Sequence, residues 1–313
     1  MKNFISELNT QLEKTVPSNA KLIWELPGIS YFETDKQHRF NPNLTFGVLL
    51  DFEATGKDPK IDLPVEIGGI KFAFDSVSGE ILGVESYYGG LEDPGIPISP
   101  EASAVNGITD EMVKGHNFDP AKTRELFEDV ELVIAHNAMY DRILGERRFE
   151  FLKDLSWACS FKDIDWSKDF LSSSAKLEYL AFKAGFYYSA HRAVSDCLAT
   201  LAVLDYLKSQ NGDSAFNLLW KASKKSKYRI WATGAPFAVK NLLSDAGYKW
   251  SNGDQEGSEK AWFKFVAEED LDNQLKWLKS EIFSNKPVVI RVDKISSKNA
   301  FSDRIDEKLR IPL

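Results

Sequence analysis

The stretch that most restricts this chain is Val48–Gly56, which reads Val-Leu-Leu-Asp-Phe-Glu-Ala-Thr-Gly and ends an apolar run in two carboxylates two positions apart. A short apolar run of this kind predicts a buried strand. Strand side chains alternate faces, so Asp51 and Glu53 share one face while Val48, Leu50 and Phe52 take the other. Like charges on one face repel, and burying both is costly unless positive charge lies between them. A hard divalent cation such as Mg²⁺ supplies that charge, and the Thr55-Gly56 turn opens the strand end. An Asp-x-Glu pair also suits a solvated edge or a helix cap, so the rest of the chain has to decide.

A chain of 313 residues that is 43% hydrophobic can bury a full core and is expected to form one large domain and a smaller one. Cys159 and Cys197 are its two cysteines, with no paired spacing for a disulfide framework or a thiolate zinc site. No segment approaches the ~20 apolar residues that span a bilayer, and the N-terminus lacks a signal-peptide run. These features predict a soluble cytoplasmic protein with no membrane partner. The net charge of −8 is uneven: from Lys221 onward there are 18 Lys and Arg against 13 Asp and Glu, and the preceding 220 residues carry 21 against 34. An acidic body with a basic C-terminal region disfavours broad phosphate binding by the body, apart from a cation-filled acid site.

In chain order, Phe4, Ile5, Leu8 and Leu12 predict a docking helix over residues 3–14, and residues 1–45 are expected to be that helix followed by loop. After the Asp51/Glu53 strand, residues 64–74 and 81–88 complete an antiparallel meander. Thr109 is expected to cap a helix, residues 121–127 to form another, and residues 131–135 to form a fourth strand ending at His136-Asn137. Helices are predicted over 139–149, 177–184 and 193–207. A basic linker is expected at 213–228, and a small α/β domain at 229–313, with strands at 229–232, 261–265 and 288–292 and helices at 238–246 and 269–283.

The acids recur in one structural setting. Asp51 and Glu53 end a strand, Asp141 opens the helix after the fourth strand, and Asp196 opens the last helix of the body just after His191-Arg192-Ala193. Carboxylates at strand ends and in first helical turns can converge on one cleft. Three segments, Asp51-Phe52-Glu53-Ala54-Thr55-Gly56, His136-Asn137-Ala138-Met139-Tyr140-Asp141 and His191-Arg192-Ala193-Val194-Ser195-Asp196, resemble the motifs of the DEDDh (DnaQ-like) 3′-to-5′ exonucleases. Val105-Asn106-Gly107-Ile108-Thr109 resembles a further segment of that family.

The resemblance covers roughly residues 46–208, places an exonuclease domain at 46–212 and implies an α/β fold, an RNase H-like mixed sheet flanked by helices. It implies two divalent ions, Mg²⁺ or Mn²⁺, held by Asp51, Glu53, Asp141 and Asp196, with His191 as general base. Two-metal phosphodiester hydrolysis straddles the scissile phosphate with cations about 3.5–4 Å apart. A sister family places tyrosine one residue nearer the last aspartate; Arg192 stands there, which favours the histidine version. The resemblance also implies that Phe52, Ala54, Thr55, Asn106, Gly107, His136, Asn137 and Tyr140 approach the terminal nucleotide. Phe52 alternates away from the acids and reads equally well as core, and Glu66 reads as a local hydrogen-bonding group. Ser156-Trp157-Ala158-Cys159-Ser160 departs from relatives that carry an aspartate-threonine pair, and Cys159 reads as a buried structural thiol.

The implied activity is removal of nucleotides from single-stranded 3′ ends, DNA ahead of RNA, in proofreading or repair, with a polymerase or repair protein as partner. An exoribonuclease with the same site and a binding module without turnover are the competing readings; an oxidoreductase lacks its glycine-rich turn. Basic residues at 221–229 followed by Trp231, Trp250, Trp262, Phe263, Phe265 and Trp277 suit single-stranded nucleic acid, although a small domain's core accounts for most of these rings.

Overall fold

The computed structural model describes residues 20–34, 36–254, 257–302, 304 and 307–313; the helix expected over 3–14 lies outside the described residues. The chain divides into two units, Met1–Ala222 and Ser223–Leu313. The first contains strands β1 (Trp24–Glu25), β2 (Leu44–Ala54), β3 (Pro64–Asp75), β4 (Ile81–Leu91), β5 (Val130–Ala135), β6 (Trp157–Cys159) and β7 (Phe186–Tyr187). Its helices are α1 (Pro100–Asn106), α2 (Asp110–Val113), α3 (Pro120–Leu126), α4 (Ala138–Arg148), α5 (Trp166–Phe170), α6 (Leu177–Ala184), α7 (Ala193–Tyr206) and α8 (Ala215–Ser223).

The main sheet has the order β4-β3-β2-β5-β6, with the β2–β3–β4 meander antiparallel and β5 and β6 parallel to β2. It is a mixed sheet flanked by helices, and the predicted meander is present. Asp75 builds the β3–β4 turn, its side chain accepting the N–H groups of Val77 at 2.9 Å and Ser78 at 2.7 Å, as turn aspartates do. Nearly every residue of β3 is buried because both faces are covered. The Gly68-Gly69 pair makes this possible: a Cβ at Gly68 would run into the backbone of Ala193 and Val194 at the start of α7, and one at Gly69 would run into Leu126 of α3. Neighbouring strand residues face opposite ways, so each glycine admits a helix on its own side.

Most of the expected linker at 213–228 is instead the helix α8. Phe216, Leu219 and Trp220 recur at helical spacing and pack into the core, with Phe216 ring centroids 5.3 Å from Phe72 and 4.9 Å from Phe74. No helix among the described residues is long and apolar enough to cross a membrane.

The second unit contains β8 (Lys227–Ala232), α9 (Lys240–Asp245), β9 (Lys249–Asn252), β10 (Lys260–Ala267), α10 (Leu271–Trp277), β11 (Val289–Ile295) and β12 (Glu307–Pro312). They form a five-stranded antiparallel sheet of order β12-β11-β8-β10-β9. The helix expected over 269–283 is a 3₁₀ turn, α10 and a π-helical turn in succession.

Gly68→Ala is expected to push α7 off β3 and to lower the melting temperature by about 5–10 °C. A thermal melt at the wild-type temperature would show that this close approach does not hold the helix.

Candidate active site

Asp51 and Glu53 lie on one face of β2, and the strand pairing slips between Glu53 and Ala54, where the chain leaves the sheet. Asp196 reaches them from the first turn of α7: one carboxylate oxygen from each of Asp51, Glu53 and Asp196 lies within 4.8 Å of the others. Asp141, in the first turn of α4, is buried with 3% of its surface exposed and accepts the N–H of Phe52 at 3.0 Å. It is therefore fixed to the strand that carries the other two acids, at the residue between them.

Burial dominates the electrostatics, and the crowding of the acids adds to it. Burial, then the charges of Asp141, Asp196 and Glu53, push the Asp51 carboxyl well above the ordinary range. Burial and Asp196 push Glu53 up to about 7, against the pull of an Asn106 hydrogen bond and the charge of His191. Burial likewise lifts Asp141 to about 8, and it lifts Asp196 despite hydrogen bonds from Tyr188 and the Arg192 N–H. A carboxylate set that resists ionisation by itself is one that binds a cation strongly, and its all-oxygen donors suit a hard ion such as Mg²⁺ or Mn²⁺. Asp51, Glu53 and Asp196 are the residues that fit one.

The loop before α7 is latched at several points. Arg192 N–H donates to Asp196 Oδ2 at 3.0 Å, Tyr188 OH donates to Asp196 Oδ1 at 3.0 Å, and Ser195 Oγ donates to the Ser189 carbonyl at 2.7 Å. Glu66, buried on β3, accepts from the Arg192 guanidinium at 2.8 Å and from the Ala193 N–H at 3.1 Å. These bonds hold His191 at the loop crest, exposed and with a left-handed backbone (φ 64°), a conformation histidine adopts more readily than most residues. Glu53 and Asp196 both lie within electrostatic reach of His191.

The residues expected near a terminal nucleotide separate into two groups. Phe52 is core, its ring facing Gly145 and its N–H taken by Asp141, and Ala54 is buried beside it. Thr55 is also occupied: its hydroxyl donates to Asp62 and accepts from Leu63 N–H, while its backbone bonds Leu63 and Ser99. Both ring nitrogens of His136 are bonded, Nδ1 to Ser160 Oγ at 2.8 Å and Nε2 to the Ala175 carbonyl at 2.9 Å, and burial holds its pKa near 4. His136 is a tie between loops with no nitrogen left to offer. Asn106 lies against Glu53, Gly107 ends α1 in a left-handed turn with open space around it, Asn137 is exposed before α4, and Tyr140 OH donates to the Gly56 carbonyl at 2.6 Å. Tyr188 escaped the sequence reading because nothing marks a tyrosine eight residues before an aspartate as its partner.

The exonuclease family model of the RNase T type matches residues 48–204, half of the chain, and the chain belongs to this exonuclease family. The DNA polymerase III PolC-type of Thermotoga petrophila is 38% identical over 101 residues, covering 32% of this chain, and that of Listeria monocytogenes is 33% identical over 109 residues, covering 34%. The chain spans about 7% of the length of these relatives. Among solved structures, a zinc-bound form of E. coli ExoI in complex with ssDNA aligns with a TM-score of 0.51 at 15% identity, over 76% of this chain and 71% of that one, a likeness of fold.

Two outcomes follow from the site's electrostatics. An acid that stays protonated to pH 7 or 8 when folded but ionises near 4 when unfolded loses stability as pH rises through that window. His136 works in the opposite sense between about pH 4 and 6.5, so the acids show clearly only above it. In chelator, the melting temperature should fall between pH 6.5 and 8, and Asp51→Asn should flatten that fall and raise the pH 8 value by about 2–4 °C. An equal slope in both proteins would mean that the acids do not repel. Separately, Glu66→Ala leaves the Ala193 N–H without its acceptor and should cost about 1–3 kcal/mol by urea unfolding, with a loss of activity that Glu66→Gln partly restores. Full activity in the alanine variant would show that the loop needs no anchor.

Proposed function

We propose that the chain is a metal-dependent 3′-to-5′ exonuclease that removes nucleotides from single-stranded DNA ends by hydrolysis of the terminal phosphodiester. The observation that carries this is the approach of Asp51, Glu53 and Asp196 within 4.8 Å beside an exposed histidine, all on the domain that matches an exonuclease family. Two bound Mg²⁺ or Mn²⁺ ions would supply positive charge to the phosphate oxygens and to the water that attacks it. Asp51, Glu53 and Asp196 would hold that charge, and Asp141, fixed by the Phe52 N–H, would complete the set.

His191 then acts as general base. Its ring accepts a proton from the attacking water as the new P–O bond forms, and the bond from phosphorus to the 3′ oxygen breaks to release a 5′-mononucleotide. The latch through Glu66, Tyr188 and Ser189 holds the loop that carries His191. Asn106, Asn137 and Gly107 would meet the terminal sugar and base, while Phe52, Thr55 and His136, whose groups are already bonded or buried, would support the site from behind.

DNA is favoured over RNA because the matched relatives are DNA polymerase III proteins, and work in proofreading or repair beside a polymerase fits the same relatives. The test is a single-stranded oligonucleotide labelled at either end, as DNA and as RNA. With Mg²⁺ or Mn²⁺, the 3′ label should leave first as a mononucleotide and the 5′-labelled strand should shorten as a ladder, faster for DNA. Chelator should stop both, and Asp51→Ala should slow release by about a thousandfold or more. Release of the 5′ label first would reverse the assigned direction, and turnover in chelator would remove the metal from the mechanism.

A further inference from the structure

The second unit has a sheet with one face covered by helices and the other partly exposed. In chain order it runs β8–α9–β9–β10–α10–β11, with spatial order β11-β8-β10-β9 and β12 added outside β11. This is the β-α-β-β-α-β arrangement of ferredoxin-like folds, with both helices on one side of the sheet. Tyr228, Ile230 and Val292 pack there with Leu243 from α9 and Leu278 and Ile282 from the second helical segment. Their alternate neighbours must point to the other side.

On that other side the strand register lines up aromatic and basic residues. Phe263 pairs with Trp231, and Trp231 pairs with Arg291, across β10, β8 and β11. In the next row, Phe265 pairs with Arg229 and Arg229 with Asp293. Trp231 is a foundation and not a surface, with 1% of its area exposed: Phe263 lies 5.2 Å from it, and the guanidiniums of Arg229 and Arg291 cover its ring at 4.8 and 5.4 Å. Asp293, fully buried, fixes all three, accepting from Trp231 Nε1 at 2.7 Å, from Arg229 at 2.9 Å and from Arg291 at 2.6 Å. What remains open above this base is Phe265, 51% exposed and edge-on to Phe263 at 5.8 Å, with Arg229 at its side.

The margins are basic. Lys249 pairs with Phe263 on the β9 side, and Lys308 and Arg310 pair with Asp293 and Arg291 on the β12 side; all three are exposed. Glu259 is the acid nearby, 3.4 Å from Arg291 and 3.9 Å from Arg310. Five strands about 4.8 Å apart give a face roughly 20 Å across, with rigid rings on the central strands and cations at the edges. Flat bases stack on such rings without regard to sequence, and phosphates meet the flanking Lys and Arg.

We infer that the open sheet face of the second unit, centred on Phe265 and flanked by Lys249, Lys308 and Arg310, binds single-stranded nucleic acid apart from the acid site. It deepens the nuclease reading, since a chain that shortens strands gains from a second hold on them. A rigid hydrophobic face alone would suit a peptide equally; the surrounding cations, and rings aligned across neighbouring central strands, favour a polyanion with planar groups.

The experiment measures binding of fluorescein-labelled dT20 to the full chain in chelator by anisotropy, at several salt concentrations. Phe265→Ala should raise Kd by about 5-fold or more, the loss of one stacked base, and the double variant Lys308→Glu/Arg310→Glu should raise it further and reduce the salt slope by one to two. Melting curves show that each variant is folded; should Phe265→Ala fail to fold, the exposed double variant decides alone. Kd and salt slope within twofold of wild type would overturn the inference, including the case in which the face serves a peptide. No hydrolysis is required, so an inactive chain that still binds through this face refutes the nuclease reading alone, and an active chain that ignores these substitutions refutes this one alone.

Discussion

Mutual repulsion of four carboxylates is the constraint around which the first unit is arranged. Asp51, Glu53, Asp141 and Asp196 come from β2, α4 and α7; burial makes all four harder to ionise, and neighbouring carboxylates add to it at Asp51, Glu53 and Asp141. The fold tolerates them by giving Asp141, Asp196 and Glu53 fixed partners on the protein side. Phe52 N–H holds Asp141, Tyr188 and Arg192 N–H hold Asp196, and Asn106 meets Glu53. The Gly68 gap lets α7 approach β3 closely enough for Asp196 to arrive, and Glu66 pins the loop that precedes it. Energy stored this way is released when positive charge enters, which makes the site selective for cations before any substrate binds.

Much of this was readable from the chain itself. The period-two spacing of Asp51 and Glu53 fixed their common face, and the apolar runs at 64–74 and 81–88 marked the meander that became β3 and β4. Asp141 and Asp196 lie 90 and 145 residues from Asp51 and entered through the order of three motifs, since no local pattern links acids so far apart. The partners of those acids were harder. Tyr188, and the bond from Glu66 to Ala193, depend on the packing of α7 against β3, which spacing along the sequence does not encode. His136 shows the same limit: a histidine at a strand end reads as available in sequence, whereas in the fold Ser160 and Ala175 occupy both its ring nitrogens.

Secondary structure failed where elements were short or their purpose tertiary. β6 has three residues and β9 four polar-edged ones, too few to show a period. The basic residues around 221–229 suggested a linker, yet the apolar spacing of Phe216, Leu219 and Trp220 made α8 part of the core. In the second unit, most rings indeed belong to packing, as with Trp231 over Asp293; register, invisible in sequence alone, is what separates Phe265 from them.

The most direct test of the account is the thermal shift produced by Mn²⁺ in the wild-type chain and in Asp51→Asn, at pH 7.5. Repelling acids that together hold a cation predict a rise of several degrees at millimolar Mn²⁺ in the wild type and little or none in the variant, although the variant melts higher without metal. An equal rise in both, or none in the wild type, would contradict the claim that these four carboxylates form a cation site.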